Sequence, residues 1–319
     1  MTVRAILYQA KGEDREVDLH AGEPVRLDRD RLLWIDLDER DVADLAAAAR
    51  AVGLEPEALR RLSREDHRAR ILRLPDRVVL TLGAVDPEDL DARRQELDIL
   101  VGRNHIITVH TGRLAVLDTF RSEIDHEDEL GRLDAASFTA GLIDAVFAAF
   151  FRQIELIERD IDALDELAVT ARADSTFLTT VLTLRRRIAR LRRVLAPNRE
   201  ALLPLERPDF ELRADLGPVW PGIIQRLERA IDGLENTREL LVGSFDLYLG
   251  RASQRTNDVM KVLTLLSAIA LPGVVVAGIM GMNFKAPIFD NPDNFMIVIG
   301  AMVAFSLSIL GVARWRRWV

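Results

Sequence analysis

Two long apolar stretches close to the C-terminal end constrain this chain more than any other feature. Residues 262–284 and 294–313 contain no charged side chain. A helix of about 20 apolar residues crosses the ~30 Å hydrocarbon core of a bilayer, and a helix satisfies its own backbone hydrogen bonds inside lipid. The sequence therefore predicts two transmembrane helices, joined by a short loop at 285–293.

Basic residues on both flanks of the pair of spans predict its orientation. Lysines and arginines accumulate on the cytoplasmic side of membrane helices, and here they precede the first span and follow the second. Both termini are therefore expected in the cytoplasm, with the 285–293 loop outside and a basic tail at 314–319. Trp315 and Trp318 are expected to contact lipid headgroups. The residues expected to form a cytosolic basic ring are Lys261, Arg314, Arg316 and Arg317.

The composition of the chain excludes several classes of function. With 43 Lys and Arg against 51 Asp and Glu, the formal net charge is −8, which disfavours a nucleic-acid partner because phosphate backbones need a basic surface. The absence of cysteine rules out disulfides and thiolate metal sites, so any metal must use oxygen ligands or the five histidines. The sequence shows no nucleophile and base pair or phosphate loop, so it predicts neither an enzyme nor a resident cofactor.

Upstream of the spans, the hydrophobic pattern changes from mixed to wholly helical. Residues 1–134 predict a cytosolic α/β domain, because short β-type runs alternate with helical stretches. Residues 135–203 predict a cytosolic helical hairpin whose second helix stops at Pro197. The clearest β-type runs are 32–37, 78–85 and 106–110, and the clearest helical stretches are 42–52 and 56–62.

A long helix is expected to join this cytosolic part to the membrane. Apolar residues recur at three, four or seven positions after Gly222, and no helix breaker appears before Pro272. The pattern predicts one helix of roughly 60 residues and about 90 Å, with a stalk at 218–261 that continues into the first span. Because one chain offers few partners for so long an apolar stripe, we expect oligomerisation around a central axis.

An ordered block of residues around the first span carries a resemblance to a known family. The block is Arg255-Thr256-Asn257-Asp258-Val259-Met260-Lys261-Val262-Leu263-Thr264, then Leu271-Pro272, Ala277-Gly278-Ile279 and Gly281-Met282-Asn283-Phe284. It resembles the CorA metal ion transporter family, and the resemblance extends more loosely to the whole layout of the chain. It implies a funnel-like homopentameric channel whose pore is lined by the stalk and the first span, with divalent cations and membrane lipid as partners.

The resemblance also implies roles for individual residues. Asn283 matches the selectivity residue and would be the contact to the metal, because its amide accepts hydrogen bonds from the waters that Mg²⁺ releases reluctantly. Asn257 matches a polar pore position. Met260 and Leu263 match a hydrophobic gate that excludes water. Gly281, Met282 and Asn283 together form the implied selectivity filter.

Two further features of the sequence bear on ion binding outside the filter. Asp290 and Asp293 in the predicted loop would concentrate cations at the external mouth of an oligomeric ring. The resemblance implies carboxylates at cytosolic subunit interfaces that sense Mg²⁺, without identifying them. His105 and His110 lie five residues apart on a predicted strand, so they face opposite sides and are expected to be structural. The candidate sensing carboxylates are Asp215, Asp232, Glu235 and Asp246.

Several alternatives stay open on the sequence alone. Met282 favours Mg²⁺ as cargo, with permeability to Co²⁺ and Ni²⁺ and closure by cytosolic Mg²⁺. Val274, where many members have threonine, removes one ion contact, and Lys285, where magnesium-type members often have an acid, favours a Zn²⁺ transporter of the ZntB type. Asn283 alternatively ends a helix as its C-cap. A membrane-anchored coiled-coil scaffold is the alternative of another class, and it would need neither Asn257 nor Asn283.

Overall fold

The chain divides into two compact units, Met1–Ser244 and Phe245–Val319. A computed structural model describes both. The described residues are 3–9, 14–21, 25, 27, 30–65, 68–124, 134–170, 175–206, 220–282 and 292–315.

A seven-stranded mixed sheet forms the centre of the first unit. Its strands are β1 Val3–Gln9, β2 Arg15–Glu16, β3 Arg31–Leu37, β4 Arg70–Arg73, β5 Val78–Ala84, β6 Gln95–Val101 and β7 His105–Val109. They follow the order β2-β1-β3-β7-β6-β5-β4, in which β3 and β7 are parallel and the other neighbours antiparallel. The predicted runs at 32–37, 78–85 and 106–110 are confirmed as β3, β5 and β7.

Helices α1 (Val42–Val52) and α2 (Pro56–Leu62) cover one face of this sheet, with the bounds that the sequence predicts. Asp41 begins α1 by accepting hydrogen bonds from two backbone N–H groups of its first turn. Gly53 ends it in the left-handed region at φ 65°, which glycine adopts without strain. Both helices share a buried core with alternate residues of β3, namely Leu33, Ile35 and Leu37.

The opposite face of the sheet is covered by α3 (Ala115–Ile124) and by the first turns of α4 (Ala135–Thr170). Trp34 of β3 projects to this side because successive strand residues point to opposite faces. Its ring centroid lies 6.0 Å from that of Phe120 on α3 and 5.3 Å from that of Phe138 on α4, both in edge contacts. Strand β3 is therefore buried on both faces.

Helix α5 (Ser175–Leu202) forms the predicted hairpin with α4. Arg187 of α5 donates hydrogen bonds to the Gln153 side chain on α4, and its Nη1 lies 3.2 Å from a carboxylate oxygen of Asp160. The Gln153 amide nitrogen in turn donates to three backbone carbonyls of the loop after β5. This polar network ties the hairpin to the sheet. The carbonyls belong to Asp86, Pro87 and Asp89.

The prediction that α5 stops at Pro197 is wrong, because the helix continues to Leu202. A proline inside a helix lacks a backbone donor and costs about 3 kcal/mol. Tertiary contacts outweigh that cost here. Asn198 is fully buried, and its side-chain amide accepts from the Gly83 backbone N–H at 2.8 Å and donates to the Gly83 carbonyl at 2.9 Å. Leu202, the last residue of α5, is also fully buried.

The long helix predicted from near Gly222 is confirmed as α6, Trp220–Met280, which continues through Pro272. Its beginning packs within the first unit, where Leu227 and Leu234 are buried and Arg226 pairs with Asp144 of α4 at 2.9 Å. The expectation that the apolar stripe lacks partners in its own chain is thus wrong for these turns. They lie against α4 and α5.

The second unit contains the end of α6 and helix α7, Pro292–Trp315. Each of the two helices has an 18-residue window of mean hydropathy 2.4, and almost none of either window is buried. Both are long and apolar enough to cross a membrane. Helix α7 extends past the predicted 294–313 at both ends, and its proline start suits a first helical turn.

Candidate functional site

One face of α6 contacts α7 within the second unit. A Cβ atom added at Gly273 would lie 3.0 Å from Met302 Cε of α7, so the two helices approach closely there. Leu265 and Ala268 line an apolar cavity of about 390 Å³ together with residues of α7. The partly shielded positions recur at a helical spacing and mark this face. They are Leu265, Ala268, Ile269, Pro272, Gly273 and Val276.

The predicted gate residues lie on the other side of α6. At about 100° per residue, Met260, Leu263 and Val274 each fall within roughly 40° of the direction opposite Leu265. Met260 and Leu263 are 55% and 54% exposed in the single chain, and Val274 is 67% exposed. Helix α7 therefore leaves uncovered the side of α6 on which the sequence places the hydrophobic gate.

Asn257 lies one turn before Met260 and is also exposed. It is displaced by about 60° around the helix from Met260. Its amide thus borders the uncovered surface that Met260 and Leu263 share. This placement is compatible with a polar pore position, whose role stays a prediction.

The helix ends at the predicted filter sequence. Gly281 N–H donates to the Ala277 carbonyl at 2.9 Å, and Met282 N–H donates to the Ile279 carbonyl at 3.2 Å. A Cβ atom at Gly281 would lie 3.2 Å from the Ala277 oxygen, which is closer than most side chains tolerate. A glycine therefore suits this tight last turn, while Met282 is 64% exposed. Asn283 lies outside the described residues, so its role in the filter and its capping alternative both stay predictions.

The predicted charged rings are only partly within the described residues. Lys261 Nζ lies 3.1 Å from Asp258 Oδ1, one turn earlier on α6, so its charge is partly offset. Arg314 is exposed near the end of α7, and Asp293 is the second residue of that helix. The other members of the two rings lie outside the described residues. These are Arg316, Arg317 and Asp290.

Within the described part of the chain, no group of three or more His, Asp or Glu side chains could hold a metal ion. Of the candidate sensing carboxylates, Glu235 lies 2.9 Å from Arg192 of α5 and so has a partner in its own chain. Asp232 and Asp246 are exposed on α6, and Asp215 lies outside the described residues. Asp232, Glu235 and Asp246 therefore do not form a metal site with other described residues of the same chain.

His105 is enclosed in the first unit. Burial, together with the nearby positive charge of Arg77, lowers the pKa of His105 to about 4, with Asp76 opposing the shift. The imidazole is therefore neutral at physiological pH.

His110 belongs to a buried polar cluster that the sequence analysis does not anticipate. Its Nδ1 lies 2.6 Å from the Gly112 carbonyl and its Nε2 lies 3.2 Å from Asp36 Oδ1, so both ring nitrogens face acceptors. Burial disfavours the imidazolium, but the hydrogen bond and charge of Asp36 outweigh it and raise the pKa of His110. The two histidines do not form a metal pair.

Comparison with known proteins shows the family to which the chain belongs. The model of the CorA-like Mg²⁺ transporter proteins matches residues 29–313, which is most of the chain. The chain belongs to this family. A cobalt/magnesium transport protein CorA of Thermotoga maritima is 26% identical over 245 residues, covering 76% of this chain and 70% of the relative. As a CorA family member, the protein is a divalent cation transporter of the membrane rather than an enzyme or an inert scaffold.

Solved structures share the fold over the full length. The complete structure of the CorA magnesium transporter from Methanocaldococcus jannaschii covers 100% of both chains with a TM-score of 0.78 at 20% identity. The full-length CmaX protein covers 99% of this chain and 98% of its own with a TM-score of 0.71 at 24% identity. The arrangement of α/β domain, long helix and two apolar helices is therefore the CorA fold.

Proposed function

We propose that this chain forms a homopentameric channel in the bacterial inner membrane that passes hydrated Mg²⁺, with Co²⁺ and Ni²⁺ as further permeant ions and both termini in the cytoplasm. One observation carries the proposal. Helix α6 leaves Met260 and Leu263 uncovered by α7 and ends at Met280, directly before the predicted filter sequence. The printed function of the Thermotoga maritima relative, cobalt and magnesium transport, supports the choice of cargo.

The filter would act on the hydrated ion. Asn283 is the second residue after Gly281 in the sequence, so five copies would form a ring of neutral amides at the end of the pore. Each carbonyl accepts hydrogen bonds from coordinated water without displacing it, which suits an ion that dehydrates reluctantly. The neighbouring acids, Asp290 and Asp293, would raise the local cation concentration at the external mouth.

The gate would use the apolar uncovered face of α6. Rings of Met260 and Leu263 narrow the pore with side chains that cannot hydrogen bond, and a narrow apolar constriction empties of water and stops a hydrated ion. Asn257 would meet ions on the cytosolic side of this constriction. The basic residues around Lys261 and Arg314 would lie at the cytosolic membrane surface, where they fix the orientation of the spans.

Cytosolic Mg²⁺ is proposed to close the pore. An acidic chain of net charge −8 repels its own copies wherever carboxylates meet across interfaces, and a divalent ion relieves that repulsion. Exposed acids on α6 such as Asp232 and Asp246 are candidates for these contacts. Flux measured with Mg²⁺ set on the cytosolic side, together with limited proteolysis with Mg²⁺ or chelator at equal ionic strength, tests this. Flux that ignores internal Mg²⁺ would contradict it.

Zinc is the second candidate cargo. Lys285 places a positive charge just after the filter sequence, and Val274 leaves the uncovered face of α6 without a hydroxyl ligand at that level. The deciding experiment is ion flux in proteoliposomes with Mg²⁺, Zn²⁺ and Co²⁺ compared side by side at equal driving force. Faster Mg²⁺ than Zn²⁺ flux is expected. Faster Zn²⁺ than Mg²⁺ flux would make zinc the transported ion and would leave the proposed pore unchanged.

A further inference from the structure

The sheet of the first unit contains a crevice of the kind that binds ligands in α/β proteins. Strands β3 and β7 are parallel neighbours, with Leu37 paired to Val109 at their carboxyl ends. The chain leaves β3 towards α1 on one face of the sheet and leaves β7 towards α3 on the other. Where two such strands diverge, a crevice opens beyond their carboxyl ends, and open α/β sheets bind ligands there.

A cavity of about 250 Å³ occupies this position. Its floor is a rigid polar cluster around Asp36 at the end of β3. One carboxylate oxygen of Asp36 accepts from Thr108 at 2.6 Å and contacts His110, and the other accepts from Arg121 at 2.9 Å. The Arg121 guanidinium also lies over the Trp34 ring, 5.0 Å from its centroid. The acceptor oxygens of Asp36 are thus already used by three donors.

The mouth of the cavity is rich in hydrogen-bond donors. Arg113 is 84% exposed and contacts Asp118 through Nε alone at 2.8 Å, which leaves both of its terminal nitrogens available. Arg4 stands opposite Asp36 across the β1–β3 pairing and is exposed. Among the described residues Arg4 has no ion pair. Asp38 is the one carboxylate lining the cavity that makes no ion pair with a described residue.

This balance of groups favours an anion over a metal ion. Only Asp38 is available as a carboxylate ligand for a cation, because Asp36 and Asp118 already pair with arginine or histidine. An anion can bind the terminal nitrogens of Arg113 and the guanidinium group of Arg4. Guanidinium groups match the oxygens of phosphate in a forked, charge-assisted geometry. Asp38 can accept from a hydroxyl or amino group carried by the same ligand.

We propose that the cavity between the carboxyl ends of β3 and β7 binds a small molecule bearing a phosphate group, held by Arg4 and Arg113 at its mouth. The site is separate from the predicted gate and filter, which belong to the second unit. It gives the first unit a ligand of its own. Free phosphate and a phosphate monoester share the recognised chemistry, and the experiment separates them.

Isothermal titration of the purified full-length protein in detergent tests the proposal. Inorganic phosphate and adenosine monophosphate are titrated separately at constant ionic strength with chelator present, and potassium chloride serves as the reference. We expect saturable binding of at least one of the two, and an increase in Kd of about tenfold or more for Arg4→Gln and for Arg113→Gln, since each loses a charge-assisted contact. Binding of the monoester alone would identify the ligand as a monoester. Binding of both probes would show that the phosphate group is sufficient for binding.

Arg185→Gln is the matched control, because Arg185 is an exposed arginine on α5 far from the cavity in sequence. It should keep the wild-type Kd. If Arg4→Gln proves unstable, Arg113→Gln decides alone, since its exposed side chain contributes little to folding. Absence of saturable binding by both probes, or equal weakening by Arg185→Gln and Arg113→Gln, would overturn the proposal.

Discussion

At the scale of single residues, Asn198 joins two elements that are far apart in the sequence. Its fully buried amide makes both of its hydrogen bonds to the backbone of Gly83 in β5. Asn198→Ala would leave a buried backbone N–H and carbonyl without partners. We expect a loss of about 3 kcal/mol in the free energy of unfolding, since each unsatisfied buried group costs about 1–3 kcal/mol.

Denaturation of the full-length protein measures this loss. Asn236→Ala is the matched control, because Asn236 is exposed on α6 and alanine is the better helix former there. It should leave stability unchanged or slightly raised. Equal stability of the two variants would show that the Asn198 contact does not hold α5 to the sheet.

A second residue-scale prediction concerns pH. Because the pKa of His105 falls to about 4 in the folded protein, the unfolded chain binds a proton first as the pH drops below about 6.5. The stability contributed by neutral His105 is complete above that pH and is lost on acidification towards pH 4. Between pH 7 and pH 5 we expect wild-type protein to lose about 2 kcal/mol more than His105→Gln.

Unfolding free energies of the two proteins across this range provide the measurement, and the difference between them isolates His105. His110 titrates in both proteins and acts in the other direction, since its raised pKa stabilises the fold at low pH and that gain is lost as pH rises. Parallel pH profiles for the two proteins would mean that His105 is not buried neutral.

At the scale of helices, the two faces of α6 should respond differently to the same substitution. Leu263→Asn introduces an amide on the face opposite α7, where it would allow water to enter the proposed constriction. We expect faster leak of Mg²⁺ into proteoliposomes at cytosolic Mg²⁺ levels that close the wild-type pore. Leu265→Asn makes the same change two residues later, on the face towards α7, and should not increase the leak. Equal leak from both variants would contradict the assignment of Leu263 to the gate.

Most helix and strand positions in the first unit can be predicted from local patterns in the sequence. The bounds of α1 and α2 are readable because Asp41, Pro56 and Gly53 are local signals for helix ends. The continuation of α5 through Pro197 is not readable, because it depends on Asn198 meeting Gly83, which is distant in sequence. The cavity beyond β3 and β7 could not be predicted from the sequence for the same reason. Asp36, His110 and Arg121 come together only through the parallel pairing of two strands and the docking of α3.

At the scale of the whole molecule, the filter stays a prediction, which the sequence permits because Gly281, Met282 and Asn283 are contiguous and follow a long helix. The number of copies cannot be predicted in this way, since interfaces between chains leave no local pattern of that kind. In the proposed pore, other copies of the chain enclose the uncovered face of α6 in the second unit. Native mass measurement in several mild detergents should give five chains per particle. A monomer or dimer as the main species throughout would contradict the pore.

The central claim is that Asn283 selects a hydrated divalent ion at the end of a pore formed by α6. The most direct test is Mg²⁺ flux into proteoliposomes by wild-type protein and by Asn283→Ala, each reconstituted after its assembly has been confirmed by native mass. A methyl group cannot accept a hydrogen bond from the water of the ion. We expect the variant to assemble as the wild type does and to lose selective divalent flux. Wild-type flux and selectivity in Asn283→Ala would contradict the account.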